Sequence, residues 1–161
     1  GDTGFFLNDE LDHFTAKPGV PNLFGLVQGE ANAIAPRKRP LSSMAPSIIT
    51  RDGKLFLVLG SPGGSRIITI TLQVILNLID HGMAPQEAVD APRIHHQWLP
   101  DRIYVEQRGL SPDTEALLRG MGYTLTEQTP WGAAELIAIG PTGLFYGAND
   151  SRRPAGAAMG Y

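Results

Sequence analysis

The chain has 161 residues, with 13 Lys and Arg against 16 Asp and Glu, so its formal net charge is −3. That balance argues against a nucleic-acid binder, and the absence of cysteine excludes a disulfide scaffold and a Cys-ligated zinc module. With 42% hydrophobic residues there is enough apolar material for one packed domain, and 19 Gly with 13 Pro point to many turns rather than a helical bundle.

No apolar run is long enough to span a bilayer; the longest, Ile67 to Ile79, is broken by Thr69, Thr71, Gln73 and Asn77. The first residues carry no secretory signal and no initiator Met, so the chain reads as a fragment or a processed product.

The first 46 residues read as a long irregular arm. Lys17-Pro18-Gly19, Ala35-Pro36, Arg39-Pro40 and Ala45-Pro46 each push the chain out of helical geometry. Phe5-Phe6-Leu7 reads as a strand end. Next, Ser47–Thr50 and Lys54–Leu59 flank Arg51-Asp52-Gly53, which predicts a hairpin because Gly tolerates positive φ. The second strand is nearly all apolar, so both of its faces are expected to be covered. A helix is expected from about Arg66 to His81, stopped by Gly82. It is apolar round most of its circumference, so it should be sandwiched between layers or against a partner.

Pro85 to Ala91 predicts a short helix and Ile103–Glu106 a strand. Ser111-Pro112-Asp113 starts another helix, with Ser as N-cap, Pro at the first helical position and acids in the first turn. Strands are expected at Tyr123–Glu127, Glu135–Ile139 and Leu144–Gly147. This order implies an α/β (α+β) domain, a mostly antiparallel sheet with helices packed on it.

Three segments could carry chemistry. Ser61-Pro62-Gly63-Gly64-Ser65 lies between a strand and a helix N-terminus, where glycine amides can point at a carboxylate, a phosphate or an oxyanion. It lacks Walker and G-x-G-x-x-G spacing, and a tight turn that needs glycine explains it equally plainly. Ser42 and Ser43 could bind a substrate carboxylate or simply cap the local backbone. The acids Asp9, Glu10 and Asp12, beside His13, could attract a cation or form a solvated turn. No metal-ligand spacing and no cofactor motif occurs. His95 and His96 are expected to hydrogen-bond around the Pro92–Pro100 segment, and Arg37-Lys38-Arg39 reads as a solvated loop.

Together these segments have a further meaning. Gly4-Phe5-Phe6-Leu7-Asn8-Asp9-Glu10-Leu11-Asp12-His13-Phe14, Lys17-Pro18-Gly19, Pro40-Leu41-Ser42-Ser43-Met44, Gly60-Ser61-Pro62-Gly63-Gly64-Ser65-Arg66, Ala91-Pro92-Arg93 and Gly160-Tyr161 closely resemble, in order, the small subunit of gamma-glutamyltranspeptidases. The resemblance implies a layered αββα N-terminal-nucleophile hydrolase fold, incomplete at its N-terminus and spanning residues 1–161. It implies a large subunit cut from the same precursor as partner, a small γ-glutamyl substrate and no cofactor. It also implies a periplasmic or secreted setting.

By motif match, Gly63 and Gly64 correspond to the oxyanion hole, Ser42 and Ser43 to the binders of the substrate α-carboxylate, and Glu10 to a contact of the α-ammonium. Two departures stand out. The family's nucleophilic Thr lies upstream of the block that begins at Gly4, so Thr3 does not take its role, and these residues alone are expected to be inactive. His13 replaces a family Asp that helps to hold the ammonium, which makes a glutaryl-amide acylase of the same fold a competing expectation. A non-catalytic accessory module is the third.

Overall fold

The computed structural model describes residue 4 and residues 10–161; the expected strand end at Phe5-Phe6-Leu7 lies outside them. The chain forms two compact units, Gly1–Met44 and Ala45–Tyr161.

In the first unit the described chain is irregular, as the prolines dictate. Its only regular pieces are single 3₁₀ turns at Glu10–His13 and Glu30–Asn32. Main-chain groups without a ladder must find side chains. The buried Thr15 hydroxyl lies 3.0 Å from both the Gln28 Oε1 and the Gly29 carbonyl oxygen, and the Thr15 amide donates to the Asn32 carbonyl at 2.9 Å. Asn32 donates in turn to the His13 carbonyl at 2.6 Å. Asn22 Oδ1 accepts from the Phe24 and Leu26 amides and closes a local turn. Lys38 lies in an exposed loop, as expected, and donates to the Ala31 and Ala33 carbonyls.

The second unit begins with β1 (Ser47–Arg51) and β2 (Lys54–Gly60), an antiparallel pair. Asp52 and Gly53 between them both have positive φ, 51° and 73°, the geometry of a two-residue turn that matches strand twist. A 3₁₀ turn, Gly64–Arg66, leads into α1 (Ile67–Ile79), and α2 (Pro85–Asp90) follows. Then come β3 (Ile94–His95), β4 (Ile103–Glu106), α3 (Pro112–Gly120), β5 (Leu125–Gln128), β6 (Glu135–Ile139) and β7 (Phe145–Asn149).

The strands make two sheets. One has the order β1-β2-β6-β7, antiparallel throughout; the other is β3-β4-β5, with β4 and β5 parallel and α3 as their crossover. Register lines up the core: Leu57 opposes Ala138, and Leu59 opposes Leu136. With Ala148 they form one buried sheet face, packed against Ile70 and Val74 of α1, Ala88 and Val89 of α2, and Trp131. Each fully buried Leu, Ile or Val there contributes about 1.5–3 kcal/mol.

The coverage of β2 is corrected within this unit, and α1 keeps open the face expected to meet a further layer or a partner. Only one face of β2 is buried: Leu57 and Leu59 point inward, while Phe56 and Val58 are half-buried and Leu55 is exposed. No layer among the described residues of this unit buries that second face. In α1 the buried residues are Ile70, Thr71 and Val74 alone, and Ile68 (72% exposed), Leu72, Leu76 and Ile79 form an open apolar stripe at helical spacing. Within this unit the helix packs on one side only.

Candidate active site

The glycine loop is set by the sheet-to-helix junction. Gly63 has φ 153° and Gly64 φ 56°, backbone conformations that favour glycine. A Cβ on Gly63 would stand 3.0 Å from Ile70 Cδ1, so the position is also tight. Among the described residues neither the Gly63 nor the Gly64 amide has a hydrogen-bond acceptor. They precede the 3₁₀ turn and α1, where the unpaired amides of a helix start concentrate partial positive charge.

The loop is braced from several sides. Ser61 Oγ donates to the Pro62 carbonyl and accepts from the Ala133 amide at 3.1 Å. Ser65 Oγ donates to Gln97 Oε1 at 2.7 Å. Arg66 donates to Gln128 at 2.6 Å, and its guanidinium lies 4.6 Å from the Trp131 ring and 5.2 Å from that of Tyr104. Gly132 packs so closely that a Cβ there would come 2.6 Å from Ile70 Cδ1.

The Trp131–Ala134 strip is held by a buried quartet of charges. Arg93 (1% exposed) pairs with Asp150 (0%) at 2.6 Å and donates to the Trp131 carbonyl at 2.8 Å. Asp150 also accepts from the Ala134 amide at 2.8 Å. Glu106 accepts from the Trp131 amide at 2.9 Å and from Arg152, and Arg152 reaches Asp150 at 3.0 Å. Two cations and two anions thus neutralise one another out of water, which each alone could not tolerate.

Burial pushes the Asp150 carboxyl up. The bonds from the Arg152 and Ala134 amides and from the two guanidinium groups outweigh it and hold the pKa below the ordinary range. Burial lowers the Arg93 pKa. Arg152 is raised despite its burial, because Glu106 and Asp150 bond to it.

His95 and His96 point different ways, as adjacent residues normally do. His95 is buried beside Thr69 (2.8 Å) and Gln97 (2.9 Å), and burial lowers its pKa; His96 meets Asp101 at 3.1 Å. Both support structure.

The other site residues gather within the first unit. On a 3₁₀ turn, residues three apart eclipse, so Glu10 and His13 meet: Glu10 Oε2 lies 3.1 Å from His13 Nδ1. His13 Nε2 lies 2.9 Å from Ser43 Oγ, and Ser42 Oγ donates to Glu10 Oε1 at 3.2 Å. Glu10, His13, Ser42 and Ser43 therefore form one hydrogen-bonded chain, partly open to solvent. It offers two hydroxyls that can turn to an anion and a carboxylate that can face a cation. Gly63 and Gly64 belong to the second unit.

Sequence reasoning missed the quartet of Arg93, Glu106, Asp150 and Arg152, and the strip at Trp131. The available signal was the Pro92-Arg93 pair and the arginines in a Gly/Ala-rich tail. Nothing in their spacing marks them as buried.

The mixed α/β fold, with helices packed on an antiparallel sheet, is that of solved gamma-glutamyltranspeptidases, an N-terminal-nucleophile hydrolase scaffold. The family model described as gamma-glutamyltranspeptidase matches residues 1–160. Glutathione hydrolase proenzymes of Pseudomonas sp. (strain A14) and Escherichia coli (strain K12) are 54% and 53% identical over 99% and 100% of the chain. Among solved structures, a Helicobacter pylori gamma-glutamyltranspeptidase T380A mutant superposes with a TM-score of 0.86 at 51% identity, covering 94% of this chain and 83% of that one. The Pseudomonas nitroreducens gamma-glutamyltranspeptidase complexed with L-DON gives 0.82 at 47%, covering 99% and 82%. The chain belongs to the gamma-glutamyltranspeptidase family. It spans 29% and 28% of the length of the first two relatives.

Proposed function

We propose that this chain supplies the acyl-binding and oxyanion-stabilising part of an enzyme that cleaves the γ-glutamyl amide of glutathione or a related compound. The acyl group then passes to water or to an amino acid or peptide. The observation that supports this reading is the pair of Gly63 and Gly64 amides at the head of α1, which have no acceptor among the described residues. Negative charge develops on the carbonyl oxygen under attack, and fixed N–H donors aimed at it lower the barrier most. The Ser42 and Ser43 hydroxyls bind the substrate α-carboxylate, and Glu10 faces its ammonium.

The attacking hydroxyl is that of an N-terminal Thr released upstream in the precursor, with its own amine as base. The partner is the large subunit of that precursor, and the open apolar stripe of Ile68, Leu72, Leu76 and Ile79 is surface it can cover.

The test is turnover of γ-glutamyl-p-nitroanilide by the full-length, self-processed protein and by a variant with that Thr replaced by Ala. Turnover that depends on the Thr supports the reading. No turnover, or turnover that survives the replacement, removes it and favours an accessory module.

A second reading, a glutaryl-amide acylase of the same fold, is favoured by one contact. His13 Nδ1 lies 3.1 Å from Oε2 of Glu10, the carboxylate proposed to face the ammonium. This reading predicts glutaryl amides cleaved at least as well as γ-glutamyl ones.

A further inference from the structure

The His13 imidazole bridges a carboxylate and a hydroxyl through its two ring nitrogens. Its neighbours settle where its protons go. Glu10 can only accept, so Nδ1 carries hydrogen toward it. In the neutral ring Nε2 then holds a lone pair, and the Ser43 hydroxyl donates to it at 2.9 Å. That hydroxyl has a single hydrogen, so it has none for an anion. In the protonated ring Nε2–H donates instead, Ser43 Oγ becomes the acceptor, and its hydrogen swings free. A positive charge arrives at the same moment.

We propose that His13 is a proton-linked specificity residue. Uptake of a proton by its ring releases the Ser43 hydroxyl to bind a substrate carboxylate. As pH falls, acyl groups that carry a carboxylate but no ammonium therefore gain over γ-glutamyl ones. The cation helps the carboxylate of both classes, yet it repels the ammonium of the second. This rests on Ser42 and Ser43 as the carboxylate binders.

Other charged groups lie on the elements that meet His13. They are Glu10 and Asp12 on its own turn, Glu30 on the turn whose Asn32 holds the His13 carbonyl, and Lys38, bonded to the Ala31 and Ala33 carbonyls.

The experiment measures kcat/KM for glutaryl-p-nitroanilide and γ-glutamyl-p-nitroanilide on the full-length, processed protein, from about pH 8 to about pH 5.5. Titration of the shared nucleophile cancels in the ratio of the two. The ratio should rise about 10-fold in the wild type as pH falls, through KM rather than kcat, and stay level in His13→Asn and His13→Gln. A purely structural His13 would change the ratio by a constant factor at every pH. A level wild-type ratio, or the same rise in both variants, overturns the proposal. If Ser42→Ala with Ser43→Ala leaves KM for both amides unchanged, the carboxylate site itself is elsewhere, and the underlying reading fails along with the proposal.

If neither amide turns over, NMR titration of the imidazoles decides, with the His13 signal identified by its loss in His13→Asn. By reciprocity, glutarate must raise the pH at which that signal is half protonated. No rise with saturating glutarate overturns the proposal.

Discussion

Residues 10–44 hold their shape with side chains bonded to main chain, whereas Ala45–Tyr161 holds its own with an apolar core and a buried charge quartet. The first unit carries the groups that would recognise the substrate, and the second carries the amides that would meet the developing charge. Recognition built on an irregular arm is open to change by single residues, because few packed neighbours constrain each one. The His13 position is such a case. The glycine loop has less freedom: Ile70 packs against Gly63, and Ser61 and Arg66 tie the loop to Ala133 and Gln128.

The sharpest way to break this contrast is in the quartet. Asp150→Asn leaves Arg93 and Arg152 facing Glu106 alone and should cost about 3–5 kcal/mol, read by urea unfolding of the full-length protein. A cost below about 1 kcal/mol would mean that the quartet does not hold the loop strip.

Next in size is the arm. Ser42→Ala with Ser43→Ala removes hydrogen bonds to a charged group, each worth about 1.5–3 kcal/mol. KM for the γ-glutamyl anilide should rise at least 10-fold while kcat holds, provided the carboxylate is bound alike in ground and transition states. A collapse of kcat at constant KM would place these hydroxyls at the reacting centre instead.

Acid sharpens the contrast further. The Asp150 carboxyl is held below its ordinary range, so its contribution to stability is fully present above the unfolded value of about 3.9. It is lost as pH falls through the lower, folded value. Below about pH 4 the wild type should therefore lose stability more steeply than Asp150→Asn, in urea midpoints taken across that range.

The smallest effect belongs to Thr15. Thr15→Val strips the hydroxyl that bonds to Gln28 and Gly29. It should cost about 1 kcal/mol, seen as faster amide hydrogen exchange confined to residues 10–44.

Local chemistry was legible wherever one or two residues dictate geometry. Asp52-Gly53 forms the expected turn, Ser111-Pro112 opens α3, and Ile103–Glu106 is β4 as read. The hairpin strands and the short helix at Pro85 also fall where their patterns place them. β3 was missed because it has only two residues, within a run of His and Pro.

The coverage of β2 was misread for a different reason. An all-apolar strand or helix says that both sides avoid water, but not whether the second side is covered by this chain, and β2 and α1 are each buried on one side here. The quartet was invisible because Arg, Asp and Glu default to the surface, and only pairing in three dimensions makes their burial tolerable. For the candidate site the proposed residues were legible from the motifs as candidates. Their linkage was not: that Glu10, His13, Ser42 and Ser43 form one hydrogen-bonded chain depends on a 3₁₀ turn and on a loop thirty residues away.

The most direct test is steady-state kinetics of Gly64→Val, with Gly64→Ala as the milder step, in the full-length processed protein acting on γ-glutamyl-p-nitroanilide. If the glycine amides stabilise the oxyanion, kcat falls about 10²-fold or more for Val, KM changes little, and self-cleavage and the melting temperature show the fold intact. A folded, processed Gly64→Val protein that turns over at the wild-type rate would contradict the role given to the loop.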